Sequence, residues 1–202
     1  MPTPIDFWFS IGSTYTYLTV MRLDDVARRE GVAFRWRPFD VRAIMVAMDN
    51  IPFSKKPIKA QYMWRDIERR AAMYGVAWSG IPHYPLQHLP FANRIALIGM
   101  REGWGPDYVR AVYGRWFGGG EDVSTEPSLS ENLREVGQDP QRVLALAASA
   151  ELKSALQAET DEAAALGVFG SPTFAVGKEL FWGDDRLDDA IAWHRVGRLQ
   201  PA

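Results

Sequence analysis

The chain of 202 residues contains no cysteine. Disulfide bonds, cysteine nucleophiles, thiolate-ligated metals and iron–sulfur clusters are therefore excluded. Any thiol chemistry in this protein has to use a thiol that another molecule supplies.

The sequence also lacks a long apolar run and an excess of charge of either sign. Its 23 basic and 25 acidic side chains leave a net charge of −2, and dedicated nucleic-acid binders usually carry a basic excess. No segment has the apolar length of a membrane span, and no basic stretch followed by an apolar one resembles a secretory signal. We therefore expect a cytoplasmic protein with neither nucleic acid nor membrane as its partner.

The composition is otherwise that of a globular protein. Hydrophobic residues make up 47% and charged residues 24%, which is near ordinary usage. The length predicts one domain, or one domain with a large insertion. Aromatic residues reach 12%, with eight tryptophans, which is a weak indication of a ligand pocket.

The first forty residues predict a β-α-β unit. Residues 5–10 alternate between apolar and other side chains, as a strand does. The small turn of residues 11–14 leads into one helix that we expect to end at Gly31. Residues 32–39 alternate again, so the two strands should be parallel with a right-handed crossover.

Residues 41–167 carry mainly helical signals. Helix starts are indicated by Pro57, by a capping box at Ser128–Glu131 and by Asp139-Pro140. Residues 76–90 contain three prolines and should be a loop. This block looks like a helical insertion whose two ends return to the same sheet.

The chain returns to strand pattern after residue 167. Residues 173–176 and 179–182, joined by the Gly177-Lys178 turn, predict a hairpin. Asp184 or Asp185 should then cap a C-terminal helix. With the β-α-β unit this makes an α/β, thioredoxin-like fold: a mixed four-stranded sheet formed by residues 1–40 and 168–202.

Ser13 is the first candidate functional residue. It follows the first strand and precedes a helix, where unpaired N–H groups favour an anion and a hydroxyl can donate to a thiolate. The simpler alternative is that Ser13 or Thr14 is only a helix N-cap.

Ser171-Pro172 is the second candidate, because a proline entering a buried strand often marks a special backbone. In a thioredoxin-like sheet this turn would lie beside the first helix, with the Ser171 backbone free to pair with a peptide-like ligand. The alternative is an ordinary trans proline in a loop.

Other polar residues have weaker signals. Asp184 and Asp185 could bind an ammonium group, or they could simply cap a helix and pair with Arg186. Asn50 and Lys59, with Tyr62, could bind carboxylates, although a lone lysine in a first helical turn is usually only solvated. Two histidines in the 76–90 loop, His83 and His88, have no clustered carboxylates, and we predict no metal site.

Three separated motifs resemble the signatures of 2-hydroxychromene-2-carboxylate isomerases and the related kappa-class glutathione transferases. They are residues 6–18 (DFWFSIGSTYTYL), 167–174 (GVFGSPTF) and 181–187 (FWGDDRL). Residues 36–39 and 62–69 also resemble family segments, so the resemblance extends over nearly the whole chain.

The resemblance implies a DsbA-like thioredoxin fold, a homodimer and bound glutathione. Ser13 then stands where the family has the serine that stabilises the glutathione thiolate, and Ser171, before a cis-Pro172, would pair with the glutathione backbone. The other glutathione contacts implied are Asn50, Lys59, Asp184 and Asp185. The family usually has proline after the serine, whereas this chain has Thr14, which offers a second hydroxyl near the thiol.

The function implied is glutathione-dependent isomerisation of 2-hydroxychromene-2-carboxylate to trans-o-hydroxybenzylidenepyruvate by reversible thiolate addition, in the breakdown of aromatic compounds. Two alternatives stay open: a kappa-like transferase that conjugates glutathione to electrophiles, and a non-enzymatic peptide-binding module. A DsbA-type dithiol oxidase is excluded, because Ser13 and Thr16 stand where its cysteines would be. The aromatic residues proposed for the substrate pocket are Tyr15, Tyr62, Trp64 and Trp182.

Overall fold

The computed structural model describes residues 3–50, 53 and 56–199. Within these ranges the elements, in chain order, are β1 Ile5–Phe9, α1 Thr14–Val20, α2 Leu23–Glu30, β2 Phe34–Pro38, α3 Val41–Ala47, α4 Pro57–Tyr74, α5 Leu89–Glu102, α6 Gly105–Tyr113, α7 Ser128–Glu135, α8 Pro140–Ala148, α9 Ala150–Leu166, β3 Thr173–Val176, β4 Glu179–Trp182 and α10 Leu187–Val196. A π-helical turn at Gly114–Gly118 follows α6, and a short 3-10 helix at Asp184–Arg186 precedes α10. None of the helices in these ranges has the length and hydrophobicity that crossing a membrane requires.

The four strands form one mixed sheet in the order β2-β1-β3-β4. β1 is parallel to β2 and antiparallel to β3, so that Phe7 lies opposite both Trp36 and Phe174. β3 and β4 form the antiparallel hairpin that the sequence predicts. The thioredoxin-like α/β fold with an all-helical insertion is thus confirmed.

Both faces of the sheet are buried. Phe7 belongs to the large core that extends into the helices, whereas Trp8, on the opposite face, packs with Phe39 and Ala163 in a smaller cluster. That second cluster draws on α3 and the end of α9, so both ends of the 41–167 segment pack on the sheet. The domain boundaries near residues 40 and 168 stay a prediction.

The helix starts predicted at Pro57 and at Asp139-Pro140 are confirmed, whereas the single helix before Gly31 and the capping box at Ser128 are wrong. Pro57 opens α4, and the Asp139 carboxylate caps α8 by accepting from the Gln141 N–H at 3.0 Å. The single helix expected up to Gly31 is two helices, because Arg22 leaves the helical conformation and turns its guanidinium to Asp184.

The capping box at Ser128–Glu131 is the second wrong prediction. Ser128 is the first residue of α7 rather than its cap, and its hydroxyl donates to Glu121. The Glu126 carboxylate instead accepts from the Ser130 N–H at 3.2 Å. An acidic side chain thus satisfies the first turn in place of a serine.

Candidate functional site

Ser13 occupies the N-cap position of α1, but its side chain makes no capping hydrogen bond. The hydroxyl instead donates to the carbonyl oxygen of Ser171 over 2.6 Å. Ser13 is half-buried, so its hydroxyl lies at the edge of the protein interior. Ser13 therefore stands at the N-cap position, as the simpler alternative expected, but its hydroxyl does not cap the helix.

Ser171 connects this turn to the sheet. Its peptide bond to Pro172 is cis, and both residues are buried. The Ser171 hydroxyl accepts from the Ser10 N–H at 2.9 Å and lies 2.8 Å from the Thr16 hydroxyl. The resemblance assigned a role only to the Ser171 backbone. The Ser171 side chain also contributes, because its hydroxyl forms hydrogen bonds to Ser10, just after β1, and to Thr16 in α1.

A buried polar network behind Ser13 was missed by the sequence analysis. Asn93 of α5 accepts from the Ile11 N–H at 2.8 Å and donates to the Ser10 hydroxyl at 3.0 Å. The Tyr113 hydroxyl of α6 lies 3.1 Å from the carbonyl oxygens of both Ser10 and Ser13. Burial raises the pKa of Tyr113, so it stays a neutral donor. A lone asparagine in the apolar run of α5 was the signal available in the sequence.

The turn before Ser13 also depends on Gly12. This residue has φ +109°, a conformation that favours glycine. A Cβ at Gly12 would lie 2.5 Å from Cδ2 of Leu89. The leucine side chain thus packs directly on the backbone beside Ser13.

Asp184 and Asp185 have different surroundings although they are adjacent. Asp184 is buried and accepts from the Thr19 hydroxyl at 2.8 Å and from the Arg22 guanidinium at 2.9 Å. Asp185 is exposed and lies 3.4 Å from Arg186. Neither caps α10, so the capping prediction is wrong: the intervening 3-10 helix places Asp184 against α1.

The third motif is joined to the second through the backbone. The Gly183 N–H donates to the Pro172 carbonyl oxygen at 2.9 Å. The motifs around Ser13, Ser171 and Asp184 therefore meet at one end of the central strands, because hydrogen bonds join the first motif to the second and the second to the third.

Tyr15 faces α4 rather than an open space. Its hydroxyl donates to Asp66 at 3.0 Å, and Asp66 also accepts from Arg70 at 3.1 Å. Burial, together with the bond to Asp66, raises the pKa of Tyr15. The Thr14 hydroxyl likewise turns to α4, where it contacts Met63 Sδ at 3.0 Å.

The remaining predicted residues form no hydrogen bond to Ser13, Ser171 or Asp184 in the described part of the chain. Asn50 and Lys59 are exposed on either side of the segment between α3 and α4. Tyr62 is exposed on α4, Trp64 packs edge-on against Tyr84, and Trp182 is half-exposed over Gly170. Their assignment to glutathione or substrate stays a prediction.

A cavity of about 510 Å³ adjoins the Gly12 turn. It is lined by Arg42 and residues 83–90, which include two histidines and Leu89. In the ranges that the structure covers, no three histidine, aspartate or glutamate side chains are grouped so that they could hold a metal ion.

Comparisons with known proteins agree with this arrangement. A 2-hydroxychromene-2-carboxylate isomerase of Sphingobium xenophagum is 30% identical over 190 residues, covering 93% of this chain and 96% of the relative. Glutathione S-transferase kappa 2 of Caenorhabditis elegans is 26% identical, covering 91% of this chain and 88% of the relative.

A solved structure of a 2-hydroxychromene-2-carboxylate isomerase superposes with a TM-score of 0.86 at 25% identity, covering 97% of each chain. Residues 4–191 match the DSBA-like thioredoxin domain family. The match extends from β1 into the first half of α10, and it includes the three motifs that meet near Ser13. The chain belongs to the 2-hydroxychromene-2-carboxylate isomerase family, within the DSBA-like thioredoxin domains.

Proposed function

We propose that this protein is a glutathione-dependent isomerase that interconverts 2-hydroxychromene-2-carboxylate and trans-o-hydroxybenzylidenepyruvate. The observation that carries the proposal is the hydrogen bond from the Ser13 hydroxyl to the Ser171 carbonyl. It brings a hydroxyl donor next to a backbone segment suited to a peptide. The names of the relatives support the reaction, and the kappa-class relative supports the use of glutathione.

The residues present fit a glutathione molecule. Among the residues that the structure covers, no hydrogen bond uses the Ser171 N–H, so this donor is available to a peptide-like ligand. The exposed Asp185 carboxylate suits the ammonium of the γ-glutamyl end. Asp184 is buried and paired with Arg22. It would therefore stabilise the turn that carries Asp185 rather than contact the ligand.

The Ser13 hydroxyl has one proton, which is donated to the Ser171 carbonyl in the ligand-free protein. A ligand N–H that bonded to the same carbonyl would compete with Ser13 and leave its hydroxyl to donate to sulfur. A hydrogen bond to the charged form lowers the pKa of a thiol. Bound glutathione would supply a thiolate that adds reversibly to an electron-poor carbon, so that a double bond can rotate as a single bond.

The test is calorimetric titration of the protein with reduced glutathione, with Ser13→Ala and Asp185→Ala measured beside the wild type. Saturable binding that Asp185→Ala weakens would support the cofactor and its orientation. No binding up to millimolar glutathione would contradict the proposal and favour a peptide-binding module.

A kappa-like transferase is the second candidate, because a kappa-class relative covers most of the chain. Product analysis separates the two, since an isomerase regenerates glutathione and a transferase consumes it. The proposal also includes a homodimer, which light scattering would test. The proposal also places the protein in the cytoplasm, where glutathione is kept reduced.

A further inference from the structure

The cavity beside the Gly12 turn has an unusual charge balance. Arg42, His83 and His88 line it, and none of its lining residues carries a carboxylate. Its volume of about 510 Å³ is typical of pockets that bind small molecules. Leu89 lines the cavity and also packs on Gly12, the residue before Ser13, because a Cβ at Gly12 would lie 2.5 Å from its Cδ2.

Arg42 is the charged group best placed to bind an anion. It is the second residue of α3, its side chain is exposed, and it forms no ion pair within residues 3–50, 53 and 56–199. His83, by contrast, already lies 3.7 Å from the Asp122 carboxylate. The Arg42 guanidinium is therefore free to donate two parallel hydrogen bonds to the oxygens of a ligand carboxylate.

Tyr84 supplies an aromatic wall next to this charge. Burial raises the pKa of its phenol, and the neighbouring positive charge of Arg42 opposes the rise. The ring packs edge-on against Trp64 with centroids 5.2 Å apart. A planar ligand that carried a carboxylate would thus meet an aromatic surface and a cation together.

The loop that forms the cavity is held in place by the core. The indole N–H of Trp116 donates to the His83 carbonyl at 2.8 Å. The Ser79 N–H and hydroxyl both bond to the Phe117 carbonyl, at 3.0 and 2.9 Å. These bonds anchor Ser79 and His83, at the N-terminal end of the loop that lines the cavity.

We propose that this cavity is the subsite for the electrophilic substrate, with Arg42 binding its carboxylate and Tyr84 lying against its ring. The inference rests on the proposed function, because it assumes a substrate that carries a carboxylate on a conjugated aromatic system. Arg42 would then be the residue that makes the protein prefer electrophiles with a carboxylate over neutral ones.

Binding of unreactive probes tests the subsite without glutathione or turnover. The probes are 2-naphthoate and its neutral counterpart 2-naphthamide, titrated by calorimetry into wild type, Arg42→Met and Arg42→Lys. We expect wild type to prefer the naphthoate by about tenfold or more, since a charge-assisted bond contributes that much. Arg42→Met should lose the preference, and Arg42→Lys should keep part of it.

The matched control is Arg101→Met, which removes an exposed arginine of α5 outside the cavity lining and should behave as wild type. Equal binding of the two probes to wild type, or an unchanged preference in Arg42→Met, would overturn the inference.

Kinetics separate this inference from the proposed function. With the chromene carboxylate as substrate, Arg42→Met should raise KM about tenfold or more while glutathione affinity stays unchanged. An active wild type with an unaffected Arg42→Met variant would overturn the subsite alone. A wild type that binds naphthoate through Arg42 but has no affinity for glutathione would overturn the proposed function and leave a carboxylate site.

Discussion

Ser13 and Ser171 are joined by a hydrogen bond of 2.6 Å, although 158 positions separate them in the chain. The serine after β1 donates, and the carbonyl before the cis-proline accepts. The bond connects the two halves of the thioredoxin-like unit on either side of the helical insertion. A peptide-like ligand that donated a hydrogen bond to the Ser171 carbonyl would compete with Ser13 for this acceptor. The Ser13 hydroxyl could then donate to the ligand.

Replacement of Ser13 by alanine should lower the catalytic rate strongly and the stability of the fold only slightly. Turnover is expected to fall about 10- to 100-fold, because a hydrogen bond to a charged atom contributes about 1.5–3 kcal/mol. The pKa of the bound glutathione thiol should rise, which ultraviolet absorbance of the thiolate measures. The melting temperature should fall by only about 2–5 °C, since the variant loses one half-buried hydrogen bond, to the Ser171 carbonyl.

Thr14→Val is the matched control for Ser13. Its hydroxyl contacts Met63 in the interior, so the variant should keep turnover and the thiol pKa. A folded Ser13→Ala protein with wild-type turnover would remove Ser13 from the mechanism.

The two aspartates at the end of β4 should respond differently to substitution. Asp184→Ala is expected to lower the free energy of unfolding by about 3 kcal/mol, because it leaves the partly buried Arg22 without its partner. Asp185→Ala should change that energy by less than about 0.5 kcal/mol and weaken glutathione binding about tenfold.

Urea unfolding and glutathione titration of both variants check this difference. The contrast would be refuted by a stable Asp184→Ala protein or by unchanged affinity in Asp185→Ala.

Asn93→Leu should destabilise the protein by about 2–4 kcal/mol. The substitution removes the acceptor of the Ile11 N–H and the donor to the Ser10 hydroxyl, and leaves both groups buried. Urea unfolding followed by circular dichroism measures the loss. Gln141→Leu makes the same kind of change at an exposed position and should stay near wild type; equal stability of the two variants would contradict the role of Asn93.

Glu102 should make the protein sensitive to acid. The bonds from Arg142 and Trp104, at 2.8 Å, lower the pKa of Glu102 from 4.5 to about 2. Between pH 4.5 and 2, Glu102 therefore stays ionised in the native state, whereas it takes up a proton in the unfolded chain. The stability from this group is complete above pH 4.5 and is lost as the pH falls toward 2.

The comparison variant is Glu102→Gln. At neutral pH it should lower the free energy of unfolding by less than about 1 kcal/mol, since the pair is partly exposed. The difference from wild type should vanish between pH 4.5 and 2. A difference that is independent of pH would show that the charge of Glu102 does not matter.

Much of the fold is predictable from local pattern. Alternation marks β1, and the Gly177-Lys178 turn marks the β3–β4 hairpin, because both signals depend on residues near each other in the chain. The break at Arg22 was not predictable in this way. It depends on a partner, Asp184, that is distant in sequence.

The candidate site divides along the same line. The sequence alone determines that no internal thiol exists, that Ser13 follows a strand and that Ser171 precedes a proline. Only the tertiary structure decides what these groups bond to, because their partners come from other elements. The same 3-10 helix turns Asp184 inward and leaves Asp185 exposed. The Arg42 cavity likewise exists only because folding brings the start of α3 beside the loop of residues 83–90.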